Sequence, residues 1–303
     1  MTIRRTTARG TLFLLATAYA LVGASTATAA PAAGTHVAPS VPQLVFPVLG
    51  AATFSDDYGD ARGQGSHDGN DIMAPRKAPV LAAEAGTVKF WTTSSRAGCM
   101  LYLYGKSGTT YLYIHLNNDL GSGNDNKGSC VAGVAYAKGL QSGAKVVAGQ
   151  IVGYNGDSGD ADGIDPHLHF EVRPGGSSVN PYPHLKKARR LLFAAKPGTR
   201  FTLALTGRVA ATTDRRLALQ LDQVRQWPGG LKVKQSGQKV AVDVPDTAAI
   251  VGASGPVDLA RVTLSTLGHG STVTVWTEPA TVTLAAQTGA RGALAAERVV
   301  VKR

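Results

Sequence analysis

The sequence predicts a mainly β protein: an antiparallel β-sheet domain over residues 51–183, then a second all-β domain, a sandwich or small barrel, over residues 199–303. Three observations predict it. The 36 glycines and 15 prolines among 303 residues interrupt the chain too often for long helices. The short segments between them alternate apolar and polar residues with the period of a half-buried strand. Apolar residues make up 44% of the chain, enough for two cores of ordinary size.

The first 29 residues lie outside this pattern. Arg4, Arg5 and Arg9 form a positive stretch with no acidic residue, an apolar run follows from Leu12 to Val22, and Ala27-Thr28-Ala29 is a small-x-small cleavage signal. The run is shorter than the roughly 20 residues that span a bilayer, and no later stretch is long and apolar enough to cross one. Residues 1–29 therefore read as a cleaved signal peptide, and the mature chain as a secreted protein without a transmembrane segment. Residues 30–50, rich in Ala, Pro and Val, read as an N-terminal arm.

Export suits the two cysteines, Cys99 and Cys130, because an oxidising compartment lets them pair. A bridge closing a loop of about thirty residues would add roughly 3 kcal/mol. The formal charge is +11, of which the signal carries three arginines. A basic exported chain is drawn to polyanions, but no basic helix or basic–aromatic repeat points to nucleic acid. The chain is expected to act as a monomer.

Within the first domain, Gly86 to Thr93 reads as a strand. Met100–Tyr104 and Thr109–Leu116 read as a hairpin turning through Gly105 to Gly108. Asn117 to Gly143 is polar and glycine-rich, a long surface insertion held by Cys130. Lys145–Tyr154 and His167–Val172 supply the last strands. Residues 184–198 form a basic linker carrying Lys186, Lys187, Arg189 and Arg190, and beyond it alternation resumes in Phe201–Leu205, Val240–Val244 and Thr272–Trp276.

Three elements of the first domain carry chemistry. Ser66-His67-Asp68-Gly69-Asn70-Asp71 sets a histidine and a carboxylate four residues apart in a looped or extended segment, where even spacing keeps both on one side. Taken alone, such a pair is ordinary surface polarity. In His167-Leu168-His169-Phe170-Glu171-Val172, strand periodicity puts His167, His169 and Glu171 on one face and Leu168, Phe170 and Val172 on the other. The apolar face can pack on a core while two imidazoles share a cleft, one ligating a metal and the other touching water or substrate. In Tyr111-Leu112-Tyr113-Ile114-His115-Leu116 the same alternation groups Tyr111, Tyr113 and His115 on one face.

Taken together, these segments resemble the lysostaphin-type zinc endopeptidases, which hydrolyse peptidoglycan. His67-Asp68-Gly69-Asn70-Asp71-Ile72 is similar to the family's His-x-Gly-x-Asp-Ile element, Tyr113-Ile114-His115-Leu116 to its Tyr-x-His-Leu element, and His167–Glu171 to its closing His-Leu-His-Phe-Glu. Pro79–Val88, Val147–Gly153 and Gly156–Gly159 resemble the connecting segments. The resemblance covers residues 51–183.

It implies one zinc ion held by His67, Asp71 and His169, with His115 and His167 as catalytic histidines and peptidoglycan peptides as substrate. Anionic wall polymers would be a further partner, and the location extracellular or at the cell wall. Three nitrogen or oxygen ligands with an open fourth position suit hydrolytic zinc. A contrasting reading is a non-catalytic wall-binding or hydrolase-activating module, but such forms lack some of the five residues, and this chain keeps all five. One departure from the family is the acidity of the loop carrying Asp157, Asp160, Asp162 and Asp165. With Asp56, Asp57, Asp60 and Asp68 it could form a rim for a cationic group or a weak calcium site; the plainer reading is a solvated loop.

Overall fold

The computed structural model describes residues 40–63, 65–252, 264 and 267–302; the expected signal peptide and residues 30–39 of the arm lie outside them. No helix among the described residues is long and apolar enough to cross a membrane.

The chain is mainly β, as expected. Its first half is built on a six-stranded sheet in the order Asn70–Met73, His167–Pro174, Thr109–Leu116, Cys99–Gly105, Gly86–Trp91, Lys145–Val146, with every neighbouring pair antiparallel. Alternation dictates which face is which. Ile72, Val88, Leu101, Leu103, Tyr111, Tyr113, Leu168, Phe170 and Val172 are wholly buried and build one core. A second, two-stranded ladder, Pro79–Leu81 with Ile151–Tyr154, contributes Val80 and Val152 to that core. The opposite face of the large sheet bears the charged and histidine side chains.

The insertion after Leu116 forms no regular strand, yet it is not all surface. Ala135, Tyr136, Ala137 and Leu140 are buried, and the Tyr136 ring stacks on Phe90 at 3.7 Å. Cys130 is bonded to Cys99, as the two-cysteine count predicts. A buried ion cluster fastens the same region: Arg76 Nη2 donates to Asp157 Oδ2 at 2.6 Å, and Nη1 reaches Asp119. Both carboxylates are fully enclosed.

The second half is a strongly curled sheet. Its central strands are Arg200–Thr213 and Arg216–Trp227, followed by Thr272–Thr277 and Ala296–Lys302. Lys239–Asp243 pairs with one end of Arg216–Trp227, and a bridge from Asp243 to Ala295 brings it back toward the far edge. Ala249–Gly252 adds a parallel strand. Leu203, Leu205, Leu217, Leu219, Val273, Val275 and Val299 fill the interior.

The segments read as arm and linker both supply buried side chains. Leu44, Val45, Phe46, Val48 and Leu49 are enclosed, as are Leu191, Leu192 and Phe193. A short helix, Tyr182–Lys187, leads into the latter group. Val45, Leu49, Leu81, Leu191 and Val233 form a small apolar cluster joining the two halves. Gly50 is needed there: its φ is +98°, and an added Cβ would lie 2.6 Å from Val233.

Candidate active site

The strand His167–Pro174 is the backbone of the site. Leu168, Phe170 and Val172 are drawn into the core, which forces His167, His169 and Glu171 to the opposite face, as the sequence pattern predicts. Asp71 is the direct cross-strand partner of His169. It faces the same way because its neighbours Asn70 and Ile72 are buried on the core side. His67 comes from the preceding loop, which crosses closely over the strand. A Cβ at Gly69 would lie 2.6 Å from His169 Nε2, so only glycine fits at that crossing.

His67 Nε2, Asp71 Oδ1 and His169 Nδ1 converge: His67 to His169 is 2.8 Å, and each lies 3.1 Å from Asp71. Among the described residues this is the one group of three or more His, Cys, Asp or Glu side chains able to hold a metal. The outward nitrogens fix what the inward ones can do. His67 Nδ1 is 2.8 Å from the Asp57 carbonyl, a contact only an N–H can make, so Nε2 is the nitrogen turned to the convergent group. His169 Nε2 is 3.3 Å from Glu171 Oε1, so Nδ1 is the nitrogen turned inward, and Arg173 holds Glu171 in place at 2.5 Å.

Were both inward nitrogens deprotonated, two imidazole lone pairs and a carboxylate oxygen packed this closely would repel one another, so a proton on an inward nitrogen, or a metal cation in its place, belongs among them. Burial works to raise the Asp71 pKa, but hydrogen bonds from His169 and His67 outweigh it and hold the carboxyl well below the usual range. Burial likewise pulls His169 down, while Asp71 and Glu171 push its pKa up to about 9. The donor set, N, O and N with each histidine anchored from behind, fits zinc.

His115 shows what alternation alone misses. Tyr111 and Tyr113 are wholly buried on the core side, so the grouping of these tyrosines with His115 on one face is incorrect. Pairing shifts between Cys99 and Leu101, where Cys99 opposes Leu116 but Leu101 opposes Tyr113. One extra residue is accommodated on the histidine strand, and His115 takes it up with φ +62°. This β-bulge re-aims the side chain into the cleft beside Ile114.

His115 Nδ1 donates to the Ser158 carbonyl at 2.8 Å, and His167 Nδ1 to the Asp165 carbonyl at 2.9 Å. Both Nε2 atoms are thereby left facing the cleft, with the two rings edge to face at 5.1 Å. Burial lowers the His115 pKa to about 4, so it is neutral near pH 7. The cleft encloses about 490 Å³.

Several positioning groups were not singled out in the sequence. Ser158 Oγ donates to the Leu116 carbonyl at 2.5 Å and accepts from the Cys99 amide at 2.9 Å, while its own carbonyl holds His115. It therefore fixes both strands of the bulge. Arg62 Nη2 donates to Asp71 Oδ2 at 2.8 Å, leaving Oδ1 to the convergent group. Ser158 lies in the Gly156–Gly159 segment already matched to the family; nothing local marks Arg62.

The acidic residues do not form one rim. Asp157 is buried against Arg76, Asp162 accepts from Asn124 and Asn126, and Asp160 lies 3.8 Å from His115. Asp57 accepts from Asn70 and the Asp71 amide. Asp56 is bonded to Asn180 and Asp68 to Ser178.

Residues 65–181 match the model of Peptidase family M23. The L-Ala--D-Glu endopeptidase of Bacillus subtilis (strain 168) is 28% identical over 163 residues, which cover 50% of this chain and 45% of that protein. The DD-carboxypeptidase/endopeptidase Mpg of Neisseria meningitidis serogroup B is 29% identical over 136 residues, 43% of this chain and 26% of that one. The match thus spans less than half the length of either relative. Among solved structures, the catalytic domain of the antimicrobial peptidase lysostaphin from Staphylococcus simulans aligns at 24% identity with a TM-score of 0.35. That alignment covers 45% of this chain and 92% of the other. A zinc containing peptidase from Vibrio cholerae aligns at 22% identity with a TM-score of 0.34, over 48% and 40% of the two chains.

Proposed function

Since residues 65–181 match the model of Peptidase family M23, we propose that the chain is a secreted zinc metalloendopeptidase that hydrolyses peptide bonds in bacterial cell-wall peptidoglycan. The observation that carries this reading is the convergence of His67, Asp71 and His169, with one ring nitrogen of each histidine turned inward and its other nitrogen already engaged.

Those three side chains would hold the zinc. When bound, zinc supplies Lewis acidity, letting water ionise near neutral pH and polarising a carbonyl oxygen. The protein's own contribution lies in the paired histidines. His115 is neutral, and its Nε2 carries a free lone pair; it accepts a proton from the attacking water and returns it to the leaving amine. His167 Nε2, across the same cleft, orients the water and, when protonated, stabilises the oxygen on which negative charge develops. Ser158 and Asp165 keep both rings in these orientations through backbone carbonyls. The sequence of residues 1–29 supports export, and the basic charge of the mature chain suits a wall rich in anionic polymers.

The test is metal analysis and digestion of purified peptidoglycan by the wild type and by His169→Ala. The wild type should carry one zinc per chain and release new amino termini, and the variant should do neither. A correctly folded wild type that binds no zinc and releases no amino termini would overturn the reading.

A further inference from the structure

The sheet face that carries the candidate metal site does not end at the cleft. Following the register outward, His169 opposes Ile114, Leu112 opposes Tyr102 on the next strand, and Lys89 and Trp91 oppose Tyr102 and Met100 on the one after. Cross-strand partners share a face, so Trp91, Tyr102 and Tyr104 point to the same side as His169. Neighbouring strands lie about 4.8 Å apart, which sets Trp91 roughly 14 Å from His169.

These three aromatics form a strip open to solvent. Trp91 is 41% exposed and Tyr104 is 44% exposed, the two largest exposed rings among the described residues. Tyr102 lies between them, 6.1 Å from Tyr104 and inclined 15° to it, and 6.0 Å from Trp91, whose ring stands at 66° to it. Tyr102, the middle ring, packs against a small buried layer of Met100, Leu112 and Ile114, which anchors the strip at its centre. Lys89 Nζ lies 5.8 Å from the Trp91 ring. The other cross-strand neighbours of the two tyrosines, Thr87, Thr110 and Leu112, carry no charge.

A cluster of aromatic side chains, Trp91 and Tyr104 exposed and Tyr102 partly so, bordered by the hydroxyls of Thr87 and Thr110 and by the cations of Lys89 and Lys145, suits a pyranose chain: the C–H face of a sugar packs on a ring while its hydroxyls stay in water. We propose that Trp91, Tyr102 and Tyr104 form a glycan-binding platform that seats the sugar strand to which the scissile peptide is attached. The inference rests on the peptidoglycan reading of the cleft. The same sheet face continues from cleft to strip without a change of layer, and a separation of roughly 14 Å leaves room for a few residues of stem peptide between the two.

The experiment uses the full chain and a Trp91→Ala, Tyr104→Ala double variant, in which both replaced side chains are substantially exposed. In the first arm, a tetrasaccharide of N-acetylglucosamine is titrated by calorimetry. The wild type should bind it, and the variant should bind at least about 10-fold more weakly. In the second arm, cleavage of intact peptidoglycan is compared with cleavage of the same peptides freed from glycan. The variant should shift the ratio of free-peptide to intact-wall cleavage about 10-fold toward the free peptide.

Equal loss on both substrates, an unshifted ratio, or a wild type that does not bind the tetrasaccharide would overturn the platform. So would concentration-dependent self-association of the wild type abolished in the variant, which would identify the strip as a contact between copies. If the wild type cleaves neither substrate, the peptidase reading fails on its own, and the tetrasaccharide arm still decides the platform.

Discussion

The two halves of the molecule bury different chemistry. Of the buried polar or charged residues described, His67, Asn70, Thr109, His115, Asn117, Asp119, Asn155, Asp157, Ser158, His167 and Glu171 lie in the first half. Only Gln226, Thr277 and Gln287 lie in the second. Burying polar groups is costly unless each finds partners, so the first half carries a price that the second avoids. What the first half gains is fixed orientation, with each of its four cleft histidines anchored by a partner on its outward nitrogen. The second half is an ordinary apolar interior, suited to holding a shape.

Substitutions can break or sharpen that contrast. The largest effect is expected at the convergent group. His67→Ala or His169→Ala should remove bound zinc and lower peptidoglycan cleavage by on the order of 1,000-fold or more, with the circular dichroism of the sheet retained. Retained activity would mean that the polar interior of the first half serves only structure.

Next comes Arg76→Ala. It leaves Asp119 and Asp157 buried without their cation, which should cost about 3–5 kcal/mol in urea unfolding. A loss below about 1 kcal/mol would show that these carboxylates reach solvent. The matched control in the other half is Leu219→Ala, expected to cost about 2–5 kcal/mol through the cavity it leaves. Zinc content and cleavage at a temperature where the variant is folded should not change.

A further effect, at most about 3 kcal/mol, is a pH dependence of stability. The His115 pKa is depressed from 6.5 to about 4 in the folded state. Its contribution is therefore present above pH 6.5 and is lost progressively as pH falls toward 4. Unfolding free energy measured for the wild type and His115→Asn across that window should converge at low pH. Parallel curves would place the titration elsewhere. The smallest predicted change is Arg62→Ala, which removes the support behind Asp71 and should weaken zinc binding about 10–100-fold in a chelator competition.

Much of this contrast was legible in the residues. The strict alternation of His167 to Val172 predicts both the core strand and the cleft face, and the two cysteines predict their own pairing. The direction of His115 was not legible. Tyr111 to Leu116 reads as an unbroken period of two, and the bulge that turns the imidazole around is set by the register of the neighbouring strand. Asp157 was equally hidden. Its partner Arg76 is 81 positions away, so a carboxylate in a polar loop gives no local sign that it will be enclosed. Residues 44–49 read as an arm because their apolar run is short, and only the space between two sheets gives it a place to be buried.

That same run has a consequence for modularity. Val45 donates to Ala83 and Phe46 to Arg189, while Ala51 donates to Lys234 in the second half; the Arg190 guanidinium lies 3.7 Å over the Phe46 ring. One stretch of chain is thus mortared into both halves at once. The first half is therefore not a cassette that can be lifted out at residue 51 or grafted onto another tail. A chimera that keeps residues 65–181 but discards 44–49 or replaces Val233 would uncover apolar surface on the transplanted piece. Recombination that preserved function would have to carry the seam along with the site.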